Sequence, residues 1–120
     1  MVRLEDVTVP RLLSSFAFIM DTRPCPGARD LAHDADLMVM EATYTSEHQE
    51  LANFYQHSTA LDAANVARAA GAHRLAITHF SQRYSNPERH LRDAQAAFPN
   101  VIALNDLDHI DIPRRKRVNP

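Results

Sequence analysis

The sequence predicts an α/β domain in which short buried strands alternate with helices. Three observations carry that expectation. Short apolar runs at Ser14 to Met20, Leu37 to Met40 and Arg74 to His79 are separated by stretches with helical spacing. The runs deliver Asp21, Glu41 and His79 to their carboxyl ends, which is where α/β proteins usually place ligands. A chain of 120 residues with 45% apolar content is enough for one small domain with a real core.

The elements follow in order. Residues 1–13 are mixed, contain Pro10 and read as a lead-in. The run Ser14 to Met20 is apolar and aromatic, suiting a buried strand that ends at Asp21, and the prolines and glycine of Thr22 to Gly27 make a turn. Ala28 to Ala35 forms a brief helix with Leu31 and Ala32 inward, and Leu37 to Met40 is a second strand. From Thr43 to Gln56 the pattern is helical, with Ser46 and Gln49 spaced as a capping box; Thr59 and Asp62 repeat the device for a helix with an alanine-rich face, ended by Gly71. Arg74 to His79 is the third strand, and Asn86-Pro87 opens a last helix through Ala97. Val101 to Leu104 and His109 to Ile112 read as two closing strands. The domain is therefore expected over 14–113, with 114–120 as a basic tail.

Composition narrows the function classes. The net charge of −2 provides no overall attraction to nucleic acid, so RNA contact would come from local patches. Arg114-Arg115-Lys116-Arg117 is the one such block, read as a solvated terminus or as a phosphate-contacting arm. Cys25 is the only cysteine, which excludes an intramolecular disulfide and fits a reducing cytoplasm; between Pro24 and Pro26 it reads as a turn residue. No apolar run approaches the roughly 20 residues of a membrane helix, and the amino terminus lacks a signal-peptide core, so the expectation is a soluble cytoplasmic protein without a membrane partner. With only two glycines there is no Gly-rich phosphate loop.

Taken alone, Asp21 reads first as a turn aspartate and His79 as a structural histidine. His57 differs, because Ser58 and Thr59 supply hydroxyls that fix the loop and leave the imidazole free to face a cleft. An imidazole so held donates a proton near neutral pH, and Glu41 is its partner if the two loops meet. Two unrelated loop residues are the alternative.

Asp21-Thr22-Arg23-Pro24, Glu41-Ala42-Thr43-Tyr44, His57-Ser58-Thr59 and His79-Phe80-Ser81-Gln82-Arg83-Tyr84, in this order and spacing, resemble the carboxyl-terminal half of ribonuclease Z. That family comprises the transfer-RNA 3′-end endonucleases of the metallo-β-lactamase superfamily. The resemblance runs from about Phe16 to Ile112. It implies half of an αββα sandwich, a mixed β-sheet with helices on one face, completed by association with a missing amino-terminal half or with a second copy in a homodimer. It further implies that Asp21 bridges two zinc ions and His79 is a terminal ligand of one. Glu41 and His57 become a charge-relay pair in which His57 protonates the departing ribose oxygen. Arg83, with Ser58 and Thr59, becomes a substrate contact on precursor tRNA, the guanidinium suiting a phosphate.

The departure from the family pattern matters equally. Its His-x-His-x-Asp-His cluster, the source of most zinc ligands and of the general base, does not occur in this sequence, nor does its tRNA-gripping arm. His33, His48, His73, His90 and His109 are not spaced as replacements and read as helix-surface or strand-end residues. Two alternatives to a module removing 3′ trailers from precursor tRNA remain. One is a non-catalytic, self-associating fragment without a complete metal site; the other is a different phosphodiesterase of the same superfamily.

Overall fold

The computed structural model describes residues 12–112 and 115–116, with the backbone alone for Leu12–Leu13 and Arg115–Lys116. Of the expected lead-in and basic tail, 1–11, 114 and 117–120 lie outside the described residues, as does Pro113. Leu12–Leu13 (β1) pairs antiparallel with Arg115–Lys116 (β6), so short stretches of the two termini meet.

The body is a four-stranded sheet in the order β2-β3-β4-β5, built from Phe16–Ile19 (β2), Leu37–Glu41 (β3), Leu75–Thr78 (β4) and Val101–Ala103 (β5). Every neighbouring pair in it is parallel, where a mixed sheet was expected. The reason is connectivity. Each strand returns through at least one helix: Pro26–Leu31 (α1), then Gln49–Tyr55 (α2) and Ala60–Ala70 (α3), then Glu88–Gln95 (α4). The closing strand expected at His109 to Ile112 does not form; Ile110 and Ile112 instead pack as irregular chain beside Leu37, Val39 and Ala76.

Register sorts the side chains by face. Ala17, Ile19, Met38, Met40, Leu75 and Ile77 point toward the helices and form the main core with the alanines of α3. Met38, Met40, Leu75 and Ile77 are fully buried, each contributing about 1.5–3 kcal/mol. On the opposite face Leu37, Val39 and Ala76 are buried beneath partly buried neighbours such as Ile102, Leu104 and Ile110, while Phe16 and Phe18 on the edge strand are each 61% exposed. One face of the sheet is thus closed and the other partly open.

α3 shows why the helices sit so close. Its buried side chains are Ala60, Ala63, Ala64, Val66, Ala67 and Ala70, small enough to bring the helix axis near the strands. It starts with the expected capping box: the Thr59 side chain accepts from the Asp62 amide and the Asp62 side chain accepts from the Thr59 amide. It stops at Gly71, whose φ of 68° is a left-handed conformation open to glycine at little cost.

Two local expectations change. The helix expected over Ala28 to Ala35 is shorter, because Asp34 turns left-handed (φ 54°) and gives its amide to the Ala70 carbonyl, carrying the chain into β3. Ser46 is not a helix cap. A 3-10 turn, Ser46–His48, precedes α2, and Ser46 donates both its amide (2.9 Å) and its hydroxyl (2.5 Å) to the Asp93 carboxylate of α4. Asp93 also accepts the Leu61 amide at 3.0 Å, so one carboxylate joins the 3-10 turn, the start of α3 and α4. Asp93→Ala is expected to lower stability by about 2–4 kcal/mol, and Asp93→Asn by roughly half that, measured by urea denaturation.

Candidate metal and proton-transfer site

The carboxyl edge of the parallel sheet gathers four of the expected residues. Asp21 follows β2, Glu41 ends β3, His79 follows β4, and His57 lies in the loop between α2 and α3. The loop is set by the end of α2. Gln56 takes a left-handed conformation (φ 60°), and His57 donates its amide to the Ala52 carbonyl at 2.8 Å, a helix stop that ties His57 to the last turn.

Glu41 is the hub. Its side chain is fully buried and accepts the Thr22 amide (2.5 Å), the Thr43 hydroxyl and His57 Nδ1, which lies 3.0 Å from both carboxylate oxygens. A carboxylate only accepts, so the His57 proton facing it is on Nδ1 and Nε2 is the nitrogen left to work. The Glu41–His57 partnership thus exists as geometry.

The same bookkeeping assigns His79. The Thr43 hydroxyl gives its single hydrogen to Glu41, so it accepts from His79 Nδ1, 3.1 Å away. That leaves the Nε2 lone pair of His79 facing Asp21 Oδ1 at 3.5 Å. Both residues hold positive φ, 50° for Asp21 and 62° for His79. Two non-glycine residues in the left-handed region at one sheet edge is the kind of local strain found at functional sites. Asp21, His57 and His79 can each aim one ligand atom within 4.8 Å of the others, a donor set of two imidazoles and a carboxylate that suits a divalent metal.

Ser58 and Thr59 do not face a substrate. Both are fully buried; Ser58 donates its hydroxyl to the Thr22 carbonyl at 2.7 Å, and Thr59 is committed to the α3 cap. The expectation of substrate contact is corrected to loop support, because their hydroxyls are occupied within the protein. Arg83 is exposed, with its guanidinium carbon 6.0 Å from the Tyr44 ring centre. Tyr44 in turn meets the His57 ring edge-on at 6.5 Å, so a cation and the His57–Glu41 pair flank the same ring. Thr43 and Tyr44 belong to a recognised motif, yet their linking roles were not legible; only the fold shows that β3 continues into contact with both histidine loops.

The loop after His79 is braced from behind. Ser81 donates its amide to the Thr43 carbonyl, and the Tyr84 hydroxyl meets the Thr45 amide (3.0 Å) and His48 Nδ1 (2.6 Å). His90, expected on a helix surface, is fully buried, with Phe80 and Tyr84 rings at 4.6 and 4.5 Å. The polar stretch of α4 gave no sign of this. Neither of its ring nitrogens makes a well-formed hydrogen bond. Burial lowers its pKa from 6.5; the Thr43 carbonyl and Asp93 oppose that shift, and Arg89 adds to it. His73 pairs with Asp34 at 2.9 Å at the far end of the sheet, and His109 lies on irregular chain.

Beside His79 an open, mainly apolar cavity of about 810 Å³ is lined by Phe18, Met20, Val39, Phe80 and Leu104 among others. It lies on the partly open face of the sheet.

One sheet backed by helices, with candidate ligands at its carboxyl edge, is compatible with one half of an αββα sandwich of the metallo-β-lactamase kind. The structure superposes on the metallo-β-lactamase fold protein YhfI of Bacillus subtilis with a TM-score of 0.64, at 21% identity, covering 70% of this chain and 34% of that one. Sequence narrows the likeness to ribonuclease Z. The chain is 45% identical to the ribonuclease Z of Streptomyces coelicolor over 117 residues, 96% of this chain and 39% of that protein. It is 40% identical to that of Chlamydia muridarum over 113 residues, 94% of this chain and 37% of the relative. The short form of human tRNase Z superposes with a TM-score of 0.57 at 34% identity, covering 72% of this chain and 28% of that one. No family model matches the chain. The resemblance carried by the four motifs therefore extends along nearly the whole sequence, which spans about two fifths of the length of these curated relatives.

The buried imidazole yields a pH dependence with a definite sign. Because His90 has a lowered folded pKa, the unfolded chain binds more protons on it, and stability falls as pH drops through 6.5 toward the folded value. Between about pH 7.5 and 5.5 wild type is expected to lose more stability than His90→Phe, measured by urea denaturation across the range.

Proposed function

We propose that the chain is the carboxyl-terminal portion of a zinc-dependent, cytoplasmic endoribonuclease that removes 3′ trailers from precursor tRNA by phosphodiester hydrolysis. The observation that carries this reading is the buried Glu41 carboxylate between the two histidine loops, accepting from His57 directly and from His79 through Thr43. A carboxylate-bound imidazole beside Asp21 and His79 supports a proton donor next to the metal, the arrangement that the ribonuclease Z resemblance implies.

The residues divide the work. Asp21 and His79 are the metal ligands, since Thr43 holds His79 with its Nε2 lone pair outward and toward the aspartate. Zinc, dinuclear in the complete site, supplies Lewis-acid polarisation of the phosphate and an activated water. Glu41 keeps His57 oriented so that Nε2 gives a proton to the departing ribose oxygen. Arg83 holds RNA phosphate from its perch over Tyr44. The ligand set is short of a closed site, and the rest comes from the portion of the relatives this chain does not span. That portion, or a second copy, covers the sheet face bearing Phe16 and Phe18.

The purified chain should bind zinc weakly or substoichiometrically in titration calorimetry. Asp21→Ala or His79→Ala is expected to weaken that binding about tenfold or more, and His57→Ala to change it by less than about twofold. With an amino-terminal half added, His57→Ala should lower cleavage of precursor tRNA by roughly 10²–10⁴-fold. Loss of zinc in His57→Ala would make that residue a ligand instead. Separately, the chain alone should self-associate in sedimentation, and the double change Phe16→Ser, Phe18→Ser should shift it toward monomer.

A further inference from the structure

We infer that Tyr84 is a positioning residue: its hydroxyl, shared by the Thr45 amide and His48, pins the turn that sets the Arg83 guanidinium on Tyr44. The inference rests on the reading of Arg83 as the phosphate contact and names what holds that contact in place.

The loop after β4 runs beside the chain that leaves β3, and three contacts in step join the two. Ser81 donates its amide to the Thr43 carbonyl at 2.9 Å, the Arg83 guanidinium carbon stands 6.0 Å from the Tyr44 ring centre, and the Tyr84 hydroxyl accepts the Thr45 amide at 3.0 Å. Between the two pins the chain closes a tight turn, with the Tyr84 amide on the Ser81 carbonyl at 3.2 Å and the Arg83 amide on the Ser81 hydroxyl at 3.3 Å. Arg83 therefore sits inside a turn fixed at both ends. Ordering a long exposed side chain on binding costs conformational entropy, and a fixed turn beneath it with an aromatic ring beside it lowers that cost.

The hydroxyl and the ring of Tyr84 are held by different partners. The Thr45 N–H points into the phenol oxygen, so the hydroxyl hydrogen goes to His48 Nδ1 at 2.6 Å, and the neutral imidazole carries its own proton on Nε2. Thr45 is buried, so its amide has no water to turn to when that oxygen is removed. The ring is packed separately: His90 meets it edge-on at 4.5 Å, and the Arg89 guanidinium, paired with Glu47, stands 5.8 Å from its centre. Tyr84→Phe thus removes the pin and keeps the packing. Thr43 retains its own bonds to Glu41, His79 and Ser81 in that variant, so the loss falls at the Arg83 end of the turn and not at the hub.

Two measurements test the assignment. In the chain alone the Tyr44 ring current displaces the Arg83 side-chain protons upfield in nuclear magnetic resonance spectra; Tyr84→Phe should reduce that displacement by about half or more, while the methyl signals of Leu75 and Ile77 hold their positions. With an amino-terminal half added, Tyr84→Phe should raise KM for precursor tRNA roughly three- to tenfold and keep kcat within about twofold, as expected when a contact made equally to bound substrate and transition state is lost. In an Arg83→Ala background the same change should alter KM by less than about twofold. A displacement that survives in Tyr84→Phe overturns the inference. So does a fall in kcat at constant KM, or an effect undiminished by Arg83→Ala, since either makes the hydroxyl a support of the Glu41 hub. If the displacement collapses but neither Tyr84→Phe nor Arg83→Ala moves KM, Arg83 does not hold RNA phosphate and the inference falls with that reading. If wild type cleaves no precursor tRNA, the ribonuclease reading fails, and the spectra of the chain alone still decide whether Tyr84 positions Arg83.

Discussion

The arrangement of this sheet edge depends on one buried carboxylate. Glu41 is fully enclosed, and an ionised carboxylate removed from water is strongly unfavourable unless its lone pairs are met. Three donors meet them, the Thr22 amide, the Thr43 hydroxyl and His57 Nδ1. They come from the loop after β2, from the chain after β3 and from the loop before α3. Moving any of these would leave part of a buried charge unsatisfied. A single group at the end of the central β3 thereby holds the turn carrying Asp21, the residue orienting His79 and the imidazole of His57 in one relation.

The outer braces matter because this hub has little length of chain to act through. Ser58 closes the Thr22 turn from the other side by donating to its carbonyl, so the Thr22 backbone is held at both its N–H and its C=O. Asp93 and Tyr84 do the same for the elements behind, joining α4 and the loop after β4 to the 3-10 turn. Side-chain bonds to backbone thus replace sheet pairing where the strands end. That is how positive φ at Asp21 and His79 persists without glycine.

The sequence makes strands and their termini legible because a buried parallel strand is a short apolar run with a sharp polar end, and Asp21, Glu41 and His79 are such ends. The α3 cap at Thr59 and its stop at Gly71 are legible for the same reason, each being local chemistry. What escaped was decided by distant partners. Ser46 has the spacing of a cap but is taken by Asp93, which lies 47 residues away. His90 sits in a polar stretch and is buried because Phe80 and Tyr84 close over it. Ser58 and Thr59 have the hydroxyls of a binding motif, yet burial turns them inward. Ile110 and Ile112 alternate as a strand does, but they cover the sheet as irregular chain.

The histidine pair shows how one residue type acquires two different Nδ1 partners at one sheet edge. His57 and His79 lie with ring centres 5.8 Å apart, and each is bound through Nδ1. His57 is bound there by a carboxylate, which both orients the ring and balances a positive charge on it, so its free nitrogen is suited to carrying a proton. His79 is bound there by a hydroxyl that has already given its hydrogen to the same carboxylate, a neutral acceptor that fixes the tautomer and leaves a lone pair outward. The carboxylate lies 3.0 Å from one ring and 4.0 Å from the other, with Thr43 bonded to the second. The one carboxylate thus bonds the first ring directly and reaches the second through the Thr43 hydroxyl, which fixes both rings from a single buried group.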